Sequence, residues 1–147
     1  MYFKPAGEVL GENHPVRTVT ISDDPRLPDG EYKFIDYYCT DKGCDCRKTI
    51  IQVFHEDRHV STVNYGWEDP QYYSKWLKAS KDDQMAQDMS GLTIDFMSPD
   101  LVSAKGILAL VKHLMNKKWL TTIKENYRLV RAAQIENVIR FEPKISR

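Results

Sequence analysis

Between Glu31 and Trp67 the chain carries three β-rich runs joined by connections too short to hold a helix. Glu31–Cys39 is dense in aromatics (Tyr32, Phe34, Tyr37, Tyr38). Arg47–Glu56 reads Arg-Lys-Thr-Ile-Ile-Gln-Val-Phe-His-Glu, and His59–Trp67 reads His-Val-Ser-Thr-Val-Asn-Tyr-Gly-Trp. β-branched and aromatic residues suit a pleated, half-buried surface. Parallel neighbours need a crossover of about a dozen residues or more, so these short links predict an antiparallel meander. Val16–Ile21 alternates and adds a strand before it, and Gly91–Phe96, with Leu92, Ile94 and Phe96 alternating, adds a short one after it.

A sheet with one apolar face has to be covered. Pro70–Ala79 places Tyr72, Tyr73, Trp76 and Leu77 at helical spacing and predicts a short helix. Ser80–Ser90 is polar and reads as loop or frayed helix. Ser98-Pro99-Asp100 reads as a helix start: a capping serine, proline at the first helical position and an acid in the first turn. The helix it opens buries Leu101, Ala104, Leu108, Val111 and Met115, with Ile107, Leu110 and Leu114 widening the stripe. A last helix is predicted from Trp119 to Ile135, with Leu120, Ile123, Tyr127, Val130 and Gln134 inward. The fold class that follows is α+β: an antiparallel meander of four to five strands covered by two C-terminal helices plus a short helix. The 147 residues form one domain, with residues 1–15 an irregular arm and 137–147 a short extended piece or loose tail.

All three cysteines fall in one segment, Tyr38-Cys39-Thr40-Asp41-Lys42-Gly43-Cys44-Asp45-Cys46-Arg47, with spacing C-x4-C-x-C. The count is odd, which argues against a disulfide framework. The N-terminal residues lack an apolar core, so no signal peptide is expected, and no apolar run is long enough for a membrane span. These features predict a cytoplasmic protein with reduced thiols. Thiolates favour zinc, and a hairpin loop with Gly43 at a tight bend can bring Cys39, Cys44 and Cys46 to one point. The opposing reading is three small buried residues, or a bridge from Cys39 to Cys44 or Cys46. Paired CxxC knuckles are absent.

The fourth ligand is constrained by the hairpin. His55 and His59 fall at its turn, roughly 30 Å of strand from the cysteines. Asp41, Asp45, Asp69, His14, His113 or water remain. A nucleophilic cysteine needs a histidine base within reach. Cys46 beside Arg47 and Lys48 has a basic setting that lowers a thiol pKa, but no histidine is near in sequence. No phosphate loop, G-x-S-x-G or H-E-x-x-H occurs, so no catalytic residue is assigned.

Net charge is zero but unevenly placed. From Lys105 onward ten Lys/Arg stand against three acids. Lys117, Lys124, Arg128 and Arg131 form a basic stripe that offers a surface for nucleic acid or another acidic partner. Tyr65, Trp67, Tyr72, Tyr73 and Trp76 add aromatics that either stack bases or fill the core. The aromatic content and the apolar helix suit a homodimer and a monomer core equally.

The Tyr38–Arg47 segment resembles a stretch of uncharacterised bacterial proteins, some of which also carry a SEC-C zinc-binding motif. Tyr65-Gly66-Trp67, Tyr72-Tyr73 and Ser98-Pro99 ahead of a Leu-rich helix are similar to that group too. The resemblance spans Gly30 to Gln134. The SEC-C motif itself is absent, since no cysteine follows Cys46. The resemblance implies a metal-associated module with Cys39, Cys44 and Cys46 as ligands, and it supplies no activity.

Overall fold

A computed structural model describes residues 2–11, 14–80 and 82–145, the side chains of 135–145 excepted. The order along the chain is β1 (Phe3–Pro5), α1 (Ala6–Leu10), β2 (Arg17–Ile21), β3 (Gly30–Cys39), β4 (Lys48–His55), β5 (Arg58–Gly66), α2 (Pro70–Leu77), α3 (Gln84–Met89), β6 (Gly91–Ile94), α4 (Ala104–Leu114) and α5 (Lys117–Ile145). The strands form a six-stranded antiparallel sheet in the order β1-β3-β4-β5-β6, with β2 also paired to β3. β1 lies along Tyr37–Cys39 and β2 along Gly30–Phe34, so the two share one edge of β3. The fold is α+β, as the strand and helix patterns predict.

The β4–β5 hairpin turns through Glu56 and Asp57, both at positive φ (49° and 65°). That is the two-residue turn whose twist matches its flanking strands. It pairs His55 with Arg58 and, at the other end, Lys48 with Gly66. One face of the sheet turns Phe34, Ile51, Val53 and Val63 inward, and Ile107, Val111, Ile123 and Val130 from α4 and α5 close over them. Fully burying each such side chain stabilises by about 1.5–3 kcal/mol. On the other face α2 and α3 pack at the end holding Gly66. A Cβ there would lie 2.0 Å from the Met89 carbonyl oxygen and 2.6 Å from the Tyr73 hydroxyl.

Several predicted boundaries are corrected. The arm over residues 1–15 contains β1 and α1. Residues 84–89 are helical, with the Asp83 carboxylate accepting the Ala86 N–H. β6 stops at Ile94, and Phe96 is 94% exposed rather than inward. Ser98 does not cap a helix. Its hydroxyl accepts the Thr62 N–H at 2.8 Å, so it is spent on the sheet. The helix waits for Ser103, whose hydroxyl accepts the Gly106 N–H at 3.0 Å, and Leu101 and Ala104 are exposed. The spacing predicts a last helix ending near Ile135, followed by a short extended piece or loose tail from Asn137, yet its backbone continues to Ile145. Its buried side includes Trp119 and Asn126, whereas Leu120 and Gln134 are only half-buried.

Candidate metal centre

β3 ends at Cys39, and β4 begins at Lys48. The loop between them is shaped in two parts. In the first, the Cys44 N–H donates to the Asp41 carbonyl at 3.2 Å, with Gly43 at φ 74°. Positive φ at this place in a turn is readily met by glycine. The N-terminal strand braces the turn: the Thr40 N–H donates to the Tyr2 carbonyl at 2.7 Å, and the Tyr2 N–H donates to Asp41 Oδ1 at 3.1 Å.

The second part, Asp45-Cys46-Arg47, is held by three tyrosine hydroxyls. Tyr72 donates to the Asp45 carbonyl. Tyr73 donates to the Arg47 carbonyl at 2.8 Å. Tyr127 accepts the Arg47 N–H at 3.1 Å and donates to Asp45 Oδ1 at 2.7 Å. Arg47 itself sits at φ 50°, a costly conformation for a residue with a Cβ that persists because its surroundings determine it. Asp45 also pairs with Arg131 at 2.8 Å and Arg47 at 3.1 Å, and Arg47 reaches Glu68 at 3.2 Å. Burial works to raise the Asp45 pKa, but the Tyr127 hydroxyl and the arginines outweigh it and hold the carboxyl below its ordinary value.

This scaffold brings the three sulfurs of Cys39, Cys44 and Cys46 within 4.8 Å of one another. Cys46 is 0% and Cys39 4% exposed, while Cys44 is partly open. Zinc–thiolate bonds of about 2.3 Å set tetrahedral sulfur separations near 3.8 Å, so the triad needs to tighten by about 1 Å or less. The Cys46 S–H donates to Cys39, and that bond, with the Asp41 N–H helping, brings the Cys39 pKa down to about 6. The same bond, with burial, pushes Cys46 up. Burial and the Cys39 charge push Cys44 up. The basic neighbours of Cys46 therefore do not activate it, contrary to expectation. Lys48, 8% exposed, stands beside the triad. Burial lowers its pKa, against the opposing pull of the cysteine charges.

Among the described residues no histidine or carboxylate joins the three sulfurs. Asp45 is committed to Tyr127 and the arginines, and Asp69 caps α2 by accepting the Tyr72 N–H at 2.8 Å. His14 lies against Asn126, and His113 is exposed on α4. His55 and His59 sit at the distant hairpin turn, where His55 bonds to the Asp29 carbonyl at 2.8 Å and His59 to the Ser61 carbonyl at 3.0 Å.

Their spacing in the sequence marks the loop tyrosines as core or stacking residues. Tyr73 is indeed fully buried, but the hydroxyls of Tyr72, Tyr73 and Tyr127 carry the loop. Of the predicted basic stripe, Arg131 is paired to Asp45 and Arg128 to Glu125. No helix among the described residues is long and apolar enough to cross a membrane. The chain matches no family model, no curated protein and no solved structure.

Proposed function

We propose that this is a zinc-binding accessory module of the cytoplasm, in which Cys39, Cys44 and Cys46 hold one zinc ion and water completes its shell. The observation that carries the reading is the approach of the three sulfurs to within 4.8 Å. The loop around them is braced before any metal enters, which limits the ordering cost of binding. Three thiolates and one zinc leave a single negative charge, and the Lys48 ammonium stands beside it. The resemblance of Tyr38–Arg47 to bacterial proteins that carry zinc motifs points the same way. The metal's role is to tie the β3–β4 loop together.

Elemental analysis of the purified protein, with thiol titration alongside, tests this. About one zinc per chain, with thiols that become reactive only after chelation, is the expected result. No metal and three freely titrating thiols would overturn it. Binding of nucleic acid through the C-terminal helices has less support, since Arg128 and Arg131 already have carboxylate partners. It would require salt-sensitive binding that Lys124→Glu weakens.

A further inference from the structure

The face of the sheet opposite α4 and α5 carries a cleft of about 640 Å³ between β4, β5, α2, α3 and the loop after β6. Ligand pockets commonly hold about 300–1,000 Å³. The walls are mainly apolar, with Ile50, Trp76, Leu77, Met89 and Ile94 inside and Met85 and Phe96 at the rim. Met85 is 61% and Phe96 94% exposed.

Two polar side chains line this cleft, and one of them carries a buried atom without the partner that such atoms normally have. Asn64 donates through Nδ2 to Asp95 Oδ1 at 2.9 Å, but its Oδ1 is buried with no hydrogen bond. Lys48 is more than nine-tenths buried and lines the same cleft. Its ammonium lies in the field of the cysteines and Asp95. Lys48 pairs with Gly66, and Ile50 with Asn64. Lys48 and Asn64 are thus diagonal neighbours on one face, about 7–8 Å apart at the backbone. One water needs about 30 Å³, far less than this cleft provides.

The pair offers one strong donor and one acceptor, side by side. The charge balance decides what they take. Asp88 and Asp95 also line the cleft, and the cysteine triad lies behind Lys48. No net positive charge is left for an anion. We propose that the cleft binds an uncharged, elongated apolar molecule with a primary amide or hydroxyl head. The head oxygen accepts from Lys48, its N–H or O–H donates to Asn64 Oδ1, and the apolar body lies along Trp76 and Leu77.

The test is a titration of the full chain with octanamide, followed by the side-chain amide resonances of Asn64 and the indole resonance of Trp76. Octanoate is the charged comparator. Octanamide should move these resonances saturably and bind about tenfold more tightly than octanoate. Asn64→Leu should weaken octanamide by about tenfold, since it removes the acceptor. Met85→Glu alters an exposed first-turn position of α3, where an acid suits the helix, so folding is not at stake. It should also weaken octanamide by putting charge at the apolar rim. Absence of saturable shifts, octanoate binding as tightly as octanamide, or full affinity in both variants would overturn the proposal.

Discussion

The Tyr127 hydroxyl donates to Asp45 Oδ1 at 2.7 Å while accepting the Arg47 N–H at 3.1 Å. One side chain of α5 thereby grips the residues on both sides of Cys46. The hydroxyl and its partners lie in a half-buried setting, with the ring edge-on to Trp67 at 5.0 Å. Tyr127→Phe keeps the ring and removes both hydrogen bonds, leaving a polar backbone group unmet. It should destabilise the protein by about 1–3 kcal/mol. Urea unfolding of the two proteins measures this, and equal midpoints with equal slopes would refute the clamp.

Asp45 gives the same clamp a pH dependence. Its folded pKa is depressed, so its contribution is present above the unfolded value, about 3.9, and is lost as pH falls through the folded value. Its ion pairs are over a third exposed, so solvent screens them and the effect is modest. Asp45→Asn should be less stable than the parent at neutral pH, and the difference should shrink below about pH 3.9. A constant difference across that range in thermal melts would show that the charge of Asp45 plays no part.

How far these features could be read from the chain depends on the distance over which each is decided. The meander was legible because alternation and short links are local, and so was the clustering of Cys39, Cys44 and Cys46, which share one loop. The tyrosine clamp was not. Tyr72, Tyr73 and Tyr127 bond to backbone 27, 26 and 80 residues away, and helical spacing alone marks them as core. Ser98 misled for a related reason. Its neighbours have the chemistry of a helix start, but the Thr62 N–H, 36 residues distant, takes its hydroxyl.

At Gly66, Tyr73 of α2 and Met89 of α3 press directly against the sheet. A methyl there would meet the Met89 carbonyl oxygen at 2.0 Å and Tyr73 at 2.6 Å. The first neighbour is backbone and cannot swing aside, and the second is the ring that holds the Arg47 carbonyl. Gly66→Ala should cost about 1–3 kcal/mol or more through overpacking. It should also loosen the loop at Arg47, visible as faster amide exchange at residues 44–47. Wild-type stability and exchange in this variant would mean that the helices adapt without loss.

Metal uptake should depend steeply on pH. Zinc binds thiolates, so every proton on the triad opposes it. Cys39 already sits at about 6 through the bond from Cys46, while Cys44 and Cys46 are pushed up and remain protonated at neutral pH. The metal-free form therefore carries more protons than the loaded one, and affinity should fall as pH falls. Near pH 7.5 zinc entry should release about two protons, and about three once the pH drops below the Cys39 value. Competition against a chromophoric chelator across that range measures the slope of affinity against pH. Cys44→Ser removes the most open ligand, and it should lower zinc affinity by at least about tenfold while the apo protein stays folded. A flat pH profile, or unchanged affinity in Cys44→Ser, would place any bound zinc elsewhere on the molecule.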